Sequence, residues 1–190
     1  LSYADDLEVF LDNPGEWPIL HDLLMLYHQA SNAKVNLSKT VMMPLSGITQ
    51  DEWTTLATSF GSQWHDTTNN SALRYLGYPL FHNQSQLLDY LSDVKGKIAR
   101  HANILKGRTL SPRGTGMVAN SLLLSKLWHI LRVIPVPSDW LQEINAIVRS
   151  LMLPFYPTPS WTTICMPRRF GGAGVVNLVD QSMALHLVYI

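Results

Sequence analysis

The spacing of apolar and polar residues changes character several times along this chain. Leu1 to Ala4 and Leu7 to Leu11 are short apolar runs on either side of Asp5-Asp6, the pattern of a tight β-hairpin with both acids at its tip. Asn13-Pro14-Gly15-Glu16 reads as a helix start, with Asn13 as cap and Pro14 at the first helical position. Leu20, Leu23, Leu24 and Tyr27 then recur at helical spacing, which predicts an apolar face packed on a sheet and a helix ending near Asn32. Residues 34–37 and 40–43 predict short strands around Ser38-Lys39. Thr49-Gln50-Asp51-Glu52 predicts a capped helix to about Phe60, before Gly61. Residues 66–71 read as a loop, and residues 73–80 alternate as a strand, with Gly77 where another backbone approaches closely.

From about Gln84 the period becomes helical. Leu87, Leu88, Leu91, Val94, Ile98, His101 and Leu105 form one apolar stripe, with Lys95, Lys97, Arg100 and Lys106 largely off it. A basic turn over residues 107–114 leads to a second helix, roughly 115–133, with Val118, Leu122, Leu123, Leu127 and Leu131 inward. Ser138 caps a third helix, whose buried face carries Trp140, Leu141, Ile144, Ile147, Val148 and Leu151. Residues 154–160, with Pro154, Pro157 and Pro159, read as a linker, and an apolar helix starts near Asn177. The pattern predicts an α+β fold in which β-hairpins with packed helices are followed by a helical bundle.

Composition adds bounds. At 190 residues and 46% hydrophobic content the chain can bury a core, as one domain or two small ones. No apolar run is long enough for a membrane span, no signal peptide is visible, and a lone Cys165 excludes an internal disulfide. These features predict an intracellular protein of nucleus or cytoplasm, neither secreted nor in a membrane. The abrupt start, with a strand at once and no initiator Met, reads as a piece of something longer.

Net charge is zero, but residues 1–94 carry eleven acids against three bases, and residues 95–138 carry eight bases and no acid. That basic segment comprises Lys95, Lys97, Arg100, Lys106, Arg108, Arg113, Lys126 and Arg132. Such a division suits a protein that holds a polyanion with one part and works on it with another, and it equally suits the solvated face of a helical bundle.

Candidate chemistry is sparse. Asp5 and Asp6 held side by side repel unless a cation sits between them, and a divalent metal with oxygen ligands is the usual occupant; a solvated acidic turn is the alternative. Seven His are scattered without metal-ligand spacing, and no Gly-x-Ser-x-Gly or Walker string occurs. His21 and His28 share one helix face and read as satisfied or surface residues. Gly171-Gly172-Ala173-Gly174 before a helix could cradle a phosphate, but lacks a preceding strand, so a packing helix is the plainer use.

Tyr3-Ala4-Asp5-Asp6 between apolar strands resembles the metal-binding hairpin of reverse transcriptases, in the form found in LINE-type (non-LTR) retrotransposons. Tyr27 followed by residues 30–40 is similar to the segment after the Asp pair in those enzymes, with Asn32 or Ala33 where Gly is usual. Leu73-Arg74-Tyr75-Leu76-Gly77-Tyr78-Pro79-Leu80 looks like their primer grip, and residues 110–114 and 120–129 are similar to their thumb. The Trp, Pro and Gly-Gly-x-Gly pattern of the tail also occurs past the thumb there.

The resemblance implies a C-terminal palm over residues 1–82, a helical thumb over 83–153, and a linker and post-thumb tail over 154–190. It implies Asp5 and Asp6 as ligands of Mg²⁺ (or Mn²⁺), Lys39 as general acid, and Tyr75, Leu76, Gly77 and Tyr78 as the primer grip. Lys95, Lys97, Arg100, Lys106, Arg108, Arg113 and Lys126 would meet the backbone of an RNA template and DNA primer, with deoxynucleotides as substrates of the full-length enzyme. That chemistry also needs a carboxylate on an earlier strand, so these residues are not expected to polymerise by themselves. The alternatives are a non-catalytic nucleic-acid-binding remnant of a decayed element and a structural helical domain.

Overall fold

A computed structural model describes residues 2–3, 6–153 and 157–187. The described residues are mostly helical with a few short strands, an α+β composition. The chain forms two compact units, residues 1–70 with 81–83, and residues 71–80 with 84–190. The charge division follows this boundary: the first unit has nine acids and two bases, the second five acids and twelve bases. The partition differs from the expected one in two places. Residues 73–80 belong with the helices, and the tail is part of the same helical unit.

In the first unit, β1 (Ser2–Tyr3) and β2 (Asp6–Leu7) pair antiparallel, with Tyr3 opposite Asp6. Asp6 therefore stands in the second strand and not in the turn expected from the pattern; Asp5 lies outside the described residues. A 3-10 turn over Pro14–Glu16 leads into α1 (Trp17–Ser31), and Glu16 ties that entry by accepting from the Asp12 amide at 2.9 Å and Asn13 Nδ2 at 3.1 Å. The helix ends at Asn32, whose φ of 58° is the left-handed stop that Asn tolerates. Trp17 is buried, with its ring 5.1 Å from that of Phe60, but Leu23 and Tyr27 are exposed. Among the described residues no sheet covers them, the unit's strands being two residues each.

Residues 34–37 do not form the expected strand. Asn36 takes over the local bonding: its side-chain oxygen accepts from Ser38 Oγ at 2.7 Å and its carbonyl from Thr40 Oγ1 at 3.0 Å, which favours a 3-10 turn over Leu37–Lys39. β3 (Val41–Met42) then pairs in parallel with β4 (Gln63–Trp64) across α2 (Asp51–Ser59).

Thr49 does not cap α2. It donates instead to Asp66, the buried centre of what the sequence suggested was only a loop. Asp66 is 2% exposed and also accepts from Trp64 Nε1 at 2.7 Å, the Thr68 amide at 2.8 Å and Thr68 Oγ1 at 2.6 Å. The Thr49 and Thr68 bonds hold its carboxyl far below the usual carboxylate range, against the opposing effect of burial.

The second unit opens with a hairpin rather than a single strand: β5 (Leu73–Tyr75) pairs with β6 (Tyr78–Leu80), Tyr75 opposite Tyr78. α3 (Gln84–Lys106) follows, then a continuous helical run made of α4 (Pro112–Val118), a π turn (Ala119–Leu123), a 3-10 segment (Leu124–Leu127) and α5 (Trp128–Val133). The run starts earlier than expected because Ser111 Oγ accepts from the Gly114 amide at 3.2 Å, an N-cap. α6 (Ser138–Met152), α7 (Trp161–Cys165) and α8 (Leu178–Leu187) complete the unit.

One core joins these helices, with Leu91, Ile98, Leu124, Leu127, Leu131, Ile144, Val148 and Leu178 fully or almost fully buried. Trp140 fixes α6 to α3 by donating Nε1–H to the Leu91 carbonyl at 2.9 Å. Leu122, expected inward, is exposed, and Leu124 takes a core position beside Leu123 and Leu127, the spacing of one helical face. Leu88, at the edge of the α3 stripe, is exposed as well. The tail is bound by Asn120, which donates to the Gly174 carbonyl at 2.8 Å and accepts from the Val176 amide at 3.0 Å.

Asp66→Asn is expected to lower the stability of the first unit by about 2–3 kcal/mol, the range for hydrogen bonds to a charged group. Since the folded-state carboxyl is depressed, its contribution is complete above the unfolded value of about 3.9 and disappears as the pH falls below that. Urea unfolding of both proteins against pH should therefore show a constant gap near neutrality that narrows only in strong acid.

Burial, with Asp180 as a second cause, pushes the Cys165 thiol up to about 11. Iodoacetamide at about pH 8 should modify the folded protein roughly a hundredfold more slowly than an ordinary thiol, and at the ordinary rate in urea.

Candidate nucleic-acid interface

The β5–β6 turn is two residues, Leu76 and Gly77, with φ of 48° and 86°. Positive φ at both central positions matches the right-handed twist of the strands, and glycine suits the second. Leucine does not suit the first: its Cβ opposes the left-handed region, and the side chain is 42% exposed. The tip keeps this conformation because it is held from two sides. Tyr90 on α3 donates its hydroxyl to the Gly77 carbonyl at 2.8 Å. His129 on α5 meets the Tyr78 ring edge-on at 5.6 Å, and a Cβ on Gly77 would stand 3.6 Å from His129 Nε2.

Cationic side chains collect beside this tip. The Arg74 guanidinium lies 5.1 Å over the Tyr90 ring and bonds Asp93 at 2.9 Å, and Lys97 bonds the same carboxylate at 2.7 Å. Those two cations, Lys97 first, draw the Asp93 carboxyl below its ordinary range, while burial raises the Tyr90 phenol. One turn after Lys97 on α3, His101 Nδ1 stands 2.8 Å from Lys126 Nζ, and Lys126 is three residues before His129. The helical run and α3 thus bring Lys97, Lys126, His101, His129 and Arg74 to the same side as Leu76, Gly77 and Tyr78.

The remaining expected cations are dispersed. Lys95 bonds Glu143 at 2.6 Å and Lys106 bonds Ser150 at 3.0 Å, both across to α6. Arg100, Arg108 and Arg113 are exposed and make no ion pair among the described residues. Sequence reasoning overlooked Arg74, Tyr90, His101 and His129 as a group. His101 reads there as part of the apolar stripe; the signal for His129 was its three-residue spacing from Lys126.

In the first unit, Asp6 is exposed in β2 and Lys39 is exposed at the end of its 3-10 turn; no ion pair joins them. Among the described residues no group of three or more His, Cys, Asp or Glu side chains is placed to hold a metal. Of the two carboxylates expected to hold Mg²⁺, Asp6 is the one among the described residues, and such an ion is ordinarily held by one or two carboxylates with water and substrate phosphates completing its six oxygens. No described helix is long and apolar enough to cross a membrane.

Comparison of the chain with protein-family models, with curated proteins and with solved structures gives no match.

Leu76→Asn should stabilise the second unit by roughly 0.5–1 kcal/mol, since Asn-Gly is the preferred pair for such a turn. Thermal unfolding checks this: a rise in Tm is the expected result. The same variant should bind nucleic acid more weakly if the exposed leucine makes contact.

Proposed function

We propose that this chain is the C-terminal palm and thumb portion of a LINE-type reverse transcriptase, and that its second unit holds the primer-template duplex. The observation that supports this best is the hairpin of residues 73–80, whose strained tip is braced by Tyr90 and His129 next to Lys97, His101 and Lys126. A hairpin that presents an apolar side chain in a cation-rich surround suits a sugar–phosphate strand lying along it. Phosphates would meet Lys126, Arg74 and Lys97, and the tip would touch the sugar edge.

Charge arrangement supports the same division of labour, with the net +7 of the second unit attracting the polyanion. Lys95 and Lys106 are turned to α6 partners, so their share of phosphate contact is smaller than that of Lys126, Arg108 and Arg113. Asp5, Asp6 and Lys39 keep their proposed roles at the chemical centre by resemblance alone.

Binding to a labelled RNA–DNA primer-template should weaken steeply as salt rises. Changing Arg108, Arg113 and Lys126 to Glu should reduce the slope of log K against log salt by about one unit for each phosphate that the protein no longer neutralises. Absence of binding at low salt, or an unchanged slope in the variant, would remove the nucleic-acid role.

A further inference from the structure

The tail carries a second surface built for contact, at residues 167–174. Arg168–Phe170 form a 3-10 turn in which the Phe170 amide bonds the Pro167 carbonyl at 2.9 Å and the Gly171 amide bonds the Arg168 carbonyl at 3.1 Å. The turn closes on the end of α7: the Ala173 amide bonds the Ile164 carbonyl at 3.0 Å and the Gly174 amide bonds the Met166 carbonyl at 3.1 Å. At Gly172 a Cβ would come within 2.0 Å of the Met166 carbonyl oxygen, so only glycine permits this closure. Below it, Ile164 and Val175 are buried in the core and Asn120 grips Gly174 and Val176. Arg168 lies back across the loop, with Nε 3.4 Å from the Ala173 carbonyl.

What this tethered loop presents outward is Phe170, 61% exposed, with the Arg169 guanidinium 4.8 Å from its ring centre. A single exposed aromatic is ordinary. One held on a loop closed by four backbone hydrogen bonds, with a guanidinium stacked on it and in a unit of charge +7, has the parts of a stacking platform. The loop is already ordered, so little conformational entropy opposes binding. Arg169 supplies both a planar face and a fork of donors for phosphate.

We propose that Arg169 and Phe170 form a binding site for single-stranded nucleic acid, with an unpaired base stacked against Phe170 and the adjoining phosphate on Arg169. Duplex does not suit this site, because its base faces are already stacked. Arg168 is a positioning residue that stiffens the loop. The site is separate from the hairpin face and does not require the polymerase reading.

The test is fluorescence anisotropy of a labelled oligothymidylate of about twelve residues at low salt. Phe170→Ala should weaken binding about tenfold while leaving the salt slope unchanged, and Phe170→Trp should restore it. Arg169→Glu should lower both affinity and slope. Slow alkylation of Cys165 in each variant reports that the tail remains folded. Equal affinity of Phe170→Ala and the unsubstituted protein, or no binding of oligothymidylate at all, would overturn the proposal. Loss of primer-template binding alone would count against the hairpin face and leave this site standing.

Discussion

The helical unit is organised on the run over residues 112–133, which carries a π turn at Ala119–Leu123. Leu123, Leu124, Leu127, Ile130 and Leu131 along it are all buried, the π turn packing on α3 and α5 on α8. The same run leaves Lys126 and His129 exposed, one beside His101 and the other against the hairpin tip. Asn120 lies within the π turn, where its side chain fixes the tail. Such turns are costly unless packing uses them, and here three surfaces do.

Electrostatics of the second unit are less uniform than its composition suggests. The stretch of eight bases without an acid is met in space by carboxylates from outside it, Asp93 before and Glu143 after. Exposed pairs of this kind contribute little to stability, about 0–1 kcal/mol each, and they compete with an incoming phosphate for the same cations. Lys126, whose near neighbour is a histidine, has no such competitor among the described residues. Among the described residues, the cations without a carboxylate partner thus include Lys126 beside the hairpin and the dispersed Arg100, Arg108 and Arg113.

Much of the fold was legible in the residues. The apolar period marked α3 and α6 within a residue or two, and Asn32 announced the left-handed end of α1. The π turn was not legible, because one added residue leaves the local period of Leu122, Leu123 and Leu124 looking helical in either register. Asp66 was hidden for a different reason. A string of Asp, Thr and Asn has loop composition, and only its closure with Thr49 and Trp64 turns a polar loop into a buried anchor. The strand expected at 34–37 gave way to Asn36, whose bonds to Ser38 and Thr40 form without any partner strand. Of the candidate site, residues 75–78 and Lys126 were found from the sequence, while the pairing of His101 with Lys126 joins helices that no local pattern connects.

The central claim is that the Leu76-Gly77 tip lies against the nucleic-acid strand. Replacing Leu76 with p-benzoylphenylalanine and irradiating the protein with a primer-template duplex tests it most directly. The account predicts a crosslink confined to a few adjacent nucleotides, suppressed by salt and by Lys126→Glu. Crosslinks spread evenly along the duplex, or none while the duplex is bound, would contradict it.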